Sequence, residues 1–358
     1  AQRCTEVTER GSRHVTSQPN CCAGRYSLSG IVAQHHRRHA RDMDQTFRLG
    51  VMPPLAAEPW AGTDLRQLID MARAVENFGF DSLWANDSLV RPRIEALTFL
   101  SAAAAVTDRI TLGTAALQPV LRRPVQTAQV LASIDRLSAG RLAVAVGAGF
   151  PGLSEVEYAA SEVPWQRRFA RLDDTVALWR QLWNSKEPSS FHGAVLHLDD
   201  IPAGIAPYRE SGPPVWLAAD TSGARARAGR LYDGWLPYPP TPQAYRSRLA
   251  EVQSAAQGAG RAADAVAPAL FVTVLVTDGS DGARAALDHF ATNTYGFGIE
   301  IVEQIQTFAA GTPDTVAAKL ATFIDAGARH LVCRIGVLGP EGFADQLRHL
   351  QAVHEALR

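Results

Sequence analysis

From Phe47 onward, short β-rich runs alternate with longer helical stretches, and that alternation constrains the fold more than any other feature of the chain. It calls for a mostly parallel sheet covered by helices. Candidate strands are Phe47–Met52, Ser82–Ala85, Ile110–Ala116, Leu142–Gly147, Val215–Ala219, Gly234–Leu236, Leu270–Val276 and His330–Ile335. The helices between them carry start and stop signals. Thr63-Asp64 opens one with Leu68, Ala72 and Val75 on one face, ending near Gly79. Pro124 opens another, which stops before Gly140. Others run from Gln166 to Trp183, from Thr312-Pro313-Asp314 to Ala326, and from Glu341 to Leu357. Eight βα units in roughly 300 residues predict an α/β fold of the (β/α)8 TIM-barrel class. Long insertions are expected after strands 4 and 7. An open doubly wound sheet fits the first units equally well, and the strand count decides between them.

Residues 1–42 read differently. They lack strand or helix periodicity and hold too few apolar residues to pack, so disorder is the expectation. They also lack the continuous apolar core of a secretory signal. Cys21 and Cys22 precede His35, His36 and His39, but adjacent cysteines are poor spacing for a structural zinc site. The expected organisation is a leader over 1–42, a natural start at Met43, and one barrel over 43–358.

Lys plus Arg number 35 against 36 Asp plus Glu, a balance that offers no basic footprint for nucleic acid. No apolar run reaches membrane-spanning length. Cys333 is the only cysteine outside the first stretch, which suits a reducing cytoplasm.

A barrel places its site at the C-terminal ends of the strands. Those ends carry Asn86-Asp87-Ser88, Gln118 with Arg122 and Arg123, Gly147-Ala148-Gly149-Phe150, Asp220-Thr221-Ser222-Gly223, Pro237-Tyr238 and Arg334. The histidines after Met43 fall elsewhere, and no His, Glu and Asp cluster has metal-ligand spacing, so no metal is expected. No serine sits in a nucleophile-elbow context. So few acid–base groups point to a bound cofactor that carries the chemistry. Gly147-Ala148-Gly149 is a fragment of a dinucleotide fingerprint, or a plain turn leaving strand four. The run from Ala218 to Gly223 leads a strand into a helix N-terminus and suits a phosphate, or is an ordinary N-cap. Asp87 is either a cofactor contact or a carboxylate held by Arg91 or Arg93. Arg334, in an apolar strand, is either half of an ion pair or an anion site.

Four stretches together resemble the bacterial luciferase-like superfamily of flavin- and deazaflavin-dependent oxidoreductases. They are Gly79-Phe80-Asp81-Ser82-Leu83-Trp84 with Asp87, the run from Thr107 to Thr114, the run from Arg123 through Asp135-Arg136-Leu137-Ser138-Ala139-Gly140-Arg141 to Gly149, and Asp233-Gly234-Trp235. The resemblance implies a barrel with an enlarged mouth, commonly dimeric, that binds reduced flavin mononucleotide (FMN) or coenzyme F420. It implies a non-prolyl cis peptide at Ala115 and Ala116, just after Thr114. It also implies cofactor-lining positions at Asp87, Thr114, Ala115, Ala116, Gly147, Ala148, Gly149, Ala218, Ala219, Asp220 and Thr221. Ser88, Phe150 and Tyr238 are the candidate contacts for a small organic substrate, with Phe150 and Tyr238 as walls of an apolar pocket.

The departures are specific. Ser88 stands where many deazaflavin members have histidine, Phe150 where some have glutamate, and Asp220 and Thr221 where glycines are common. No general acid is therefore assigned. With FMN the expected chemistry is oxygenation, with a separate reductase as partner; with F420 it is direct hydride transfer. The competing reading is a barrel that binds the cofactor without turnover.

Overall fold

The computed structural model describes residues 47–56, 64–90, 92–279 and 282–358. The leader, its cysteines, Met43 and Thr63 lie outside the described residues.

Eight parallel strands form a closed ring. They are β1 (Arg48–Met52), β2 (Ser82–Ala85), β3 (Thr111–Leu117), β4 (Leu142–Val146), β7 (Val215–Leu217), β8 (Gly234–Trp235), β9 (Ala267–Val276) and β11 (His330–Ile335). Pairing of Gly234 with Ala267 and of Trp235 with Pro268 joins β8 to β9 and closes the barrel. That contact settles the choice between barrel and open sheet. The strands are continuous apolar runs because both faces are covered; all five residues of β4 are buried. β9 starts three residues ahead of the sequence expectation, and Pro268 is tolerated near the strand's beginning.

Helices α1 (Gln67–Asn77), α2 (Ala96–Ala104) and α3 (Pro124–Leu137) follow the first three strands. Pro124 occupies the first turn of α3, as the sequence predicts. The α1 helix begins later than Thr63-Asp64, with Asp64 accepting from the Arg66 N–H. Between β4 and β7 come α4 (Glu155–Ala160), α5 (Arg168–Asn184) and a hairpin of β5 (Ser189–His192) with β6 (His197–Ile201). Then follow α6 (Ser222–Leu231) and α7 (Pro242–Gly258). Between β9 and β11 lie α8 (Ala283–Tyr295), α9 (Ile299–Val302), β10 (Phe308–Gly311) and α10 (Pro313–Asp325), and α11 (Phe343–Ala356) ends the chain. β10 pairs in parallel with the C-terminal half of β9, on the edge that β8 meets at its start. Its sequence, Phe-Ala-Ala-Gly, has no β-branched residue to announce a strand.

Two of the recognisable stretches meet at one buried side chain. Arg141 donates to the Thr107 hydroxyl and to the Ile110 carbonyl, both at 2.9 Å, tying the start of β3 to the start of β4. At the other end of β3 the register against β4 shifts between Thr114 and Leu117, and the Ala115–Ala116 peptide is cis, as the resemblance implies.

Candidate active site

The C-terminal ends of β3, β4, β7 and β8 surround a cavity of about 390 Å³. Ala115 and Ala116 from β3, Phe150 from the loop after β4, Ala218 after β7, and Leu236 and Tyr238 after β8 form one side. The segment from Tyr295 to Gln306 closes the other with Phe297, Ile301, Val302 and Ile305. No charged side chain lines it among the described residues. Phe150, Leu153, Phe297, Ile301 and Ile305 stay half-exposed, so the mouth has an apolar rim.

Small residues shape one wall. At Gly147 an added Cβ would lie 3.6 Å from the Ala116 Cβ and 3.7 Å from the Ala218 carbonyl oxygen, so these three positions adjoin. Ala115, Ala116, Gly147 and Ala218 thus make a ledge with no protruding side chain, which fits one face of a planar tricyclic ring. Gly149 holds φ +79°, where an added Cβ would also crowd Ser154. The loop is held by Tyr158, whose hydroxyl donates to the Ala148 carbonyl at 2.9 Å, and by Ser154, which accepts from the Phe150 N–H at 3.0 Å.

Other expected contacts are committed to the protein itself. Both carboxylate oxygens of Asp87 take Arg122, at 2.6 and 2.9 Å, and one also accepts from the Gln118 N–H. Arg122 is a partner from 35 positions away, brought to Asp87 because β3 runs beside β2, whereas the sequence points to the nearby Arg91 or Arg93; Arg91 lies outside the described residues. Thr114 donates to the Ala145 carbonyl across β3 and β4. Ser88 donates to Glu157 at 2.7 Å and accepts from the Val90 N–H, both within its loop framework. The Ala219 carbonyl accepts from Trp235.

Asp220 is ion-paired with Arg225 and Arg248, and Thr221 is the N-cap of α6, accepting from the Ala224 N–H. Burial pushes the Asp220 carboxyl up, against the opposing pull of both arginines. Its charge is neutralised by these partners, so the first turn of α6 is compatible with a phosphate despite the aspartate. The ledge and this helix start together fit a flavin-type cofactor.

One group had no signal in the sequence. Glu157 is fully buried and accepts from Ser88, from the N–H groups of Leu89 and Val90, and from Gln118. Burial works to raise its pKa, but these donors hold the carboxyl below the usual carboxylate range. It binds the loops after β2, β3 and β4 into one frame. Arg334 donates to the Tyr295 hydroxyl at 2.9 Å and lies over the Phe290 ring, 4.8 Å from its centroid. Tyr238 makes no hydrogen bond to another described residue. Burial first, then the charge of Asp220 and the neighbouring Tyr295, raise its pKa, so the hydroxyl keeps its proton at neutral pH.

A family model described as luciferase-like monooxygenase matches residues 46–330. One relative, an F420-dependent glucose-6-phosphate dehydrogenase of Amycolatopsis mediterranei, is 35% identical over 179 residues, 48% of this chain and 53% of the relative. The chain therefore spans about half the length of that curated relative. A phthiodiolone/phenolphthiodiolone dimycocerosates ketoreductase of Mycobacterium sp. is 31% identical over 281 residues, covering 70% of this chain and 71% of the relative. A monooxygenase of Streptomyces bottropensis superimposes with a TM-score of 0.73 at 22% identity, over 85% of this chain and 97% of the other, a likeness of fold alone.

Proposed function

The chain belongs to the luciferase-like monooxygenase family, and from that premise we propose that it is an F420-dependent oxidoreductase acting on an apolar carbonyl compound or the matching alcohol. The cavity's lining carries the reading. A sugar phosphate needs cations to offset its charge, and the described lining residues supply none. An apolar ketone needs a greasy wall and a few donors, which Tyr238 and Gln306 provide. The ketoreductase relative supports this substrate class by its name, and the dehydrogenase relative supports the cofactor.

In this reading the ledge of Ala115, Ala116, Gly147 and Ala218 carries the cofactor ring. Gly149 and the Glu157 frame hold that ledge in place. Ser222 and Gly223 at the start of α6, flanked by Arg225 and Arg248, receive the phosphate, and Thr221 and Asp220 order that turn. When bound, F420 supplies a two-electron hydride donor or acceptor. The apolar walls exclude water from the reacting carbon. Tyr238, protonated at neutral pH, donates to the substrate oxygen. A cytoplasmic homodimer belongs to the same proposal, with Cys333 as the sole cysteine of the barrel.

Equilibrium binding of F420 and of FMN to the purified chain tests it, followed by turnover of apolar ketones against glucose 6-phosphate. We expect micromolar F420 binding and reduction of ketones alone. Tight FMN binding without F420 binding overturns the cofactor, and turnover of the sugar phosphate overturns the substrate class. F420 binding without turnover of any substrate leaves a cofactor-binding barrel.

A further inference from the structure

One buried amide on the cavity wall has an unused donor. Gln306 is 7% exposed, and its Nε2 has no hydrogen-bond partner. Its orientation follows from the neighbours. Arg334 donates to the Tyr295 hydroxyl oxygen at 2.9 Å, and a guanidinium has no acceptor to offer in return. The Tyr295 proton is therefore left for another acceptor, and the Gln306 Oε1 receives it at 3.4 Å. With its oxygen toward Tyr295, the amide keeps its NH2 group for something else. Leaving such a donor buried and unpaired costs more than an ordinary hydrogen bond is worth, so apolar packing alone does not explain a glutamine here.

A second donor, Tyr238, lines the same cavity. Thr307, next along the chain, donates its hydroxyl to the Pro239 carbonyl, which ties the Gln306–Thr307 segment to Tyr238–Pro239. Tyr238 and Gln306 line the same cavity, whose remaining wall is aliphatic and aromatic.

We propose that Gln306 Nε2 and Tyr238 Oη form a paired donor site for a single oxygen of an apolar ligand, with Tyr295 and Arg334 as positioning residues that hold the Gln306 amide in its donating orientation. The site then selects large apolar molecules with one acceptor oxygen, whose bodies extend over the rim of Phe150, Leu153, Phe297, Ile301 and Ile305. The inference rests on reading this cavity as the substrate site.

Calorimetry on the full chain with benzophenone and diphenylmethane separates the two ideas, since the probes share a skeleton and differ in one carbonyl. In Gln306→Met, diphenylmethane affinity should stay within twofold of wild type while benzophenone affinity falls roughly fivefold to tenfold. Tyr295→Phe, which frees the amide to turn over, should move the same ratio in the same direction, a change that a purely structural loss does not produce. If Gln306→Met fails to fold, Tyr238→Phe carries the test through the same ratio. Binding of both probes with a ratio unchanged in the variants overturns the paired-donor site and leaves the cavity reading standing. Binding of neither probe overturns both.

Discussion

The two ends of the barrel treat their polar atoms in opposite ways. At the N-terminal end, Ser82 accepts from Trp84 Nε1 and shares a bond with His330 Nε2, both at 2.7 Å. The Trp84 and Trp216 rings lie 5.2 Å apart and fill notches that only glycine leaves open. A Cβ on Gly50 would sit 2.6 Å from Trp84 Nε1, while Gly113 and Gly234 lie opposite Trp84 and Trp216 in the strand register. At the C-terminal end the ledge after β3, β4 and β7 is alanine and glycine, and Gln306 Nε2 and Gln118 Oε1 have no partner. Unfilled volume therefore lies at the C-terminal end of the strands, together with two unpartnered amide atoms, while the cluster of Trp84, Trp216 and His330 at the other end is filled and hydrogen-bonded. That division is what a barrel enzyme needs from its two faces.

The most direct way to break the comparison is to truncate one aromatic at each end. Trp84→Ala should lower stability by about 3–5 kcal/mol in urea unfolding, because a fully buried ring leaves a hole that the strands cannot close. Phe297→Ala, on the half-exposed rim, should cost under about 1 kcal/mol. Similar losses at both sites would mean that the mouth is as tightly packed as the floor.

This contrast also explains how much was legible in advance. The bounds of β2 and β11 match the sequence reading because short, mostly apolar runs bounded by turn residues mark buried parallel strands even where Ser82, His330 or Arg334 interrupts them. Ala115, Ala116, Phe150, Ala218 and Tyr238 reach the cavity because strand ends in a barrel must converge. What those ends bond to was not legible. Asp87 meets Arg122 35 positions away, and Ser88 meets Glu157 69 positions away. Such pairs leave no periodic trace in either segment. The opposite wall, from Tyr295 to Gln306, comes from short helical turns between β9 and β10 whose apolar residues read as ordinary packing.

The floor should also set part of the pH dependence. Burial, and then the charge of Arg48, push the His330 pKa down to about 3. The Ser82 oxygen accepts from Trp84, so the Ser82 hydroxyl proton is free to go to His330 Nε2, which requires a neutral ring. Below the unfolded value near 6.5 the unfolded chain binds a proton that the folded chain refuses. Stability from this site is complete above that pH and declines as pH falls toward about 3. The loss by pH 5 is about 2 kcal/mol. His330→Asn should flatten the urea-midpoint slope between pH 5 and 7, and an unchanged slope would place the titrating group elsewhere.

The smallest stability change expected is the one with the clearest functional meaning. Gly113 and Gly147 are both barrel-end glycines, yet a methyl group meets different surroundings at each. At Gly113 it would penetrate the Trp84 ring, whereas at Gly147 its nearest neighbours stand at 3.6 and 3.7 Å, ordinary contact distances. Gly147→Ala should therefore change stability by less than about 0.5 kcal/mol. The same methyl would rise from the ledge assigned to the cofactor ring, where overpacking weakens binding roughly tenfold. Thermal melts and F420 titrations on this one variant read both quantities. Unchanged affinity with unchanged stability would move the ring off the ledge, whereas a large stability loss would show that the mouth is packed like the floor.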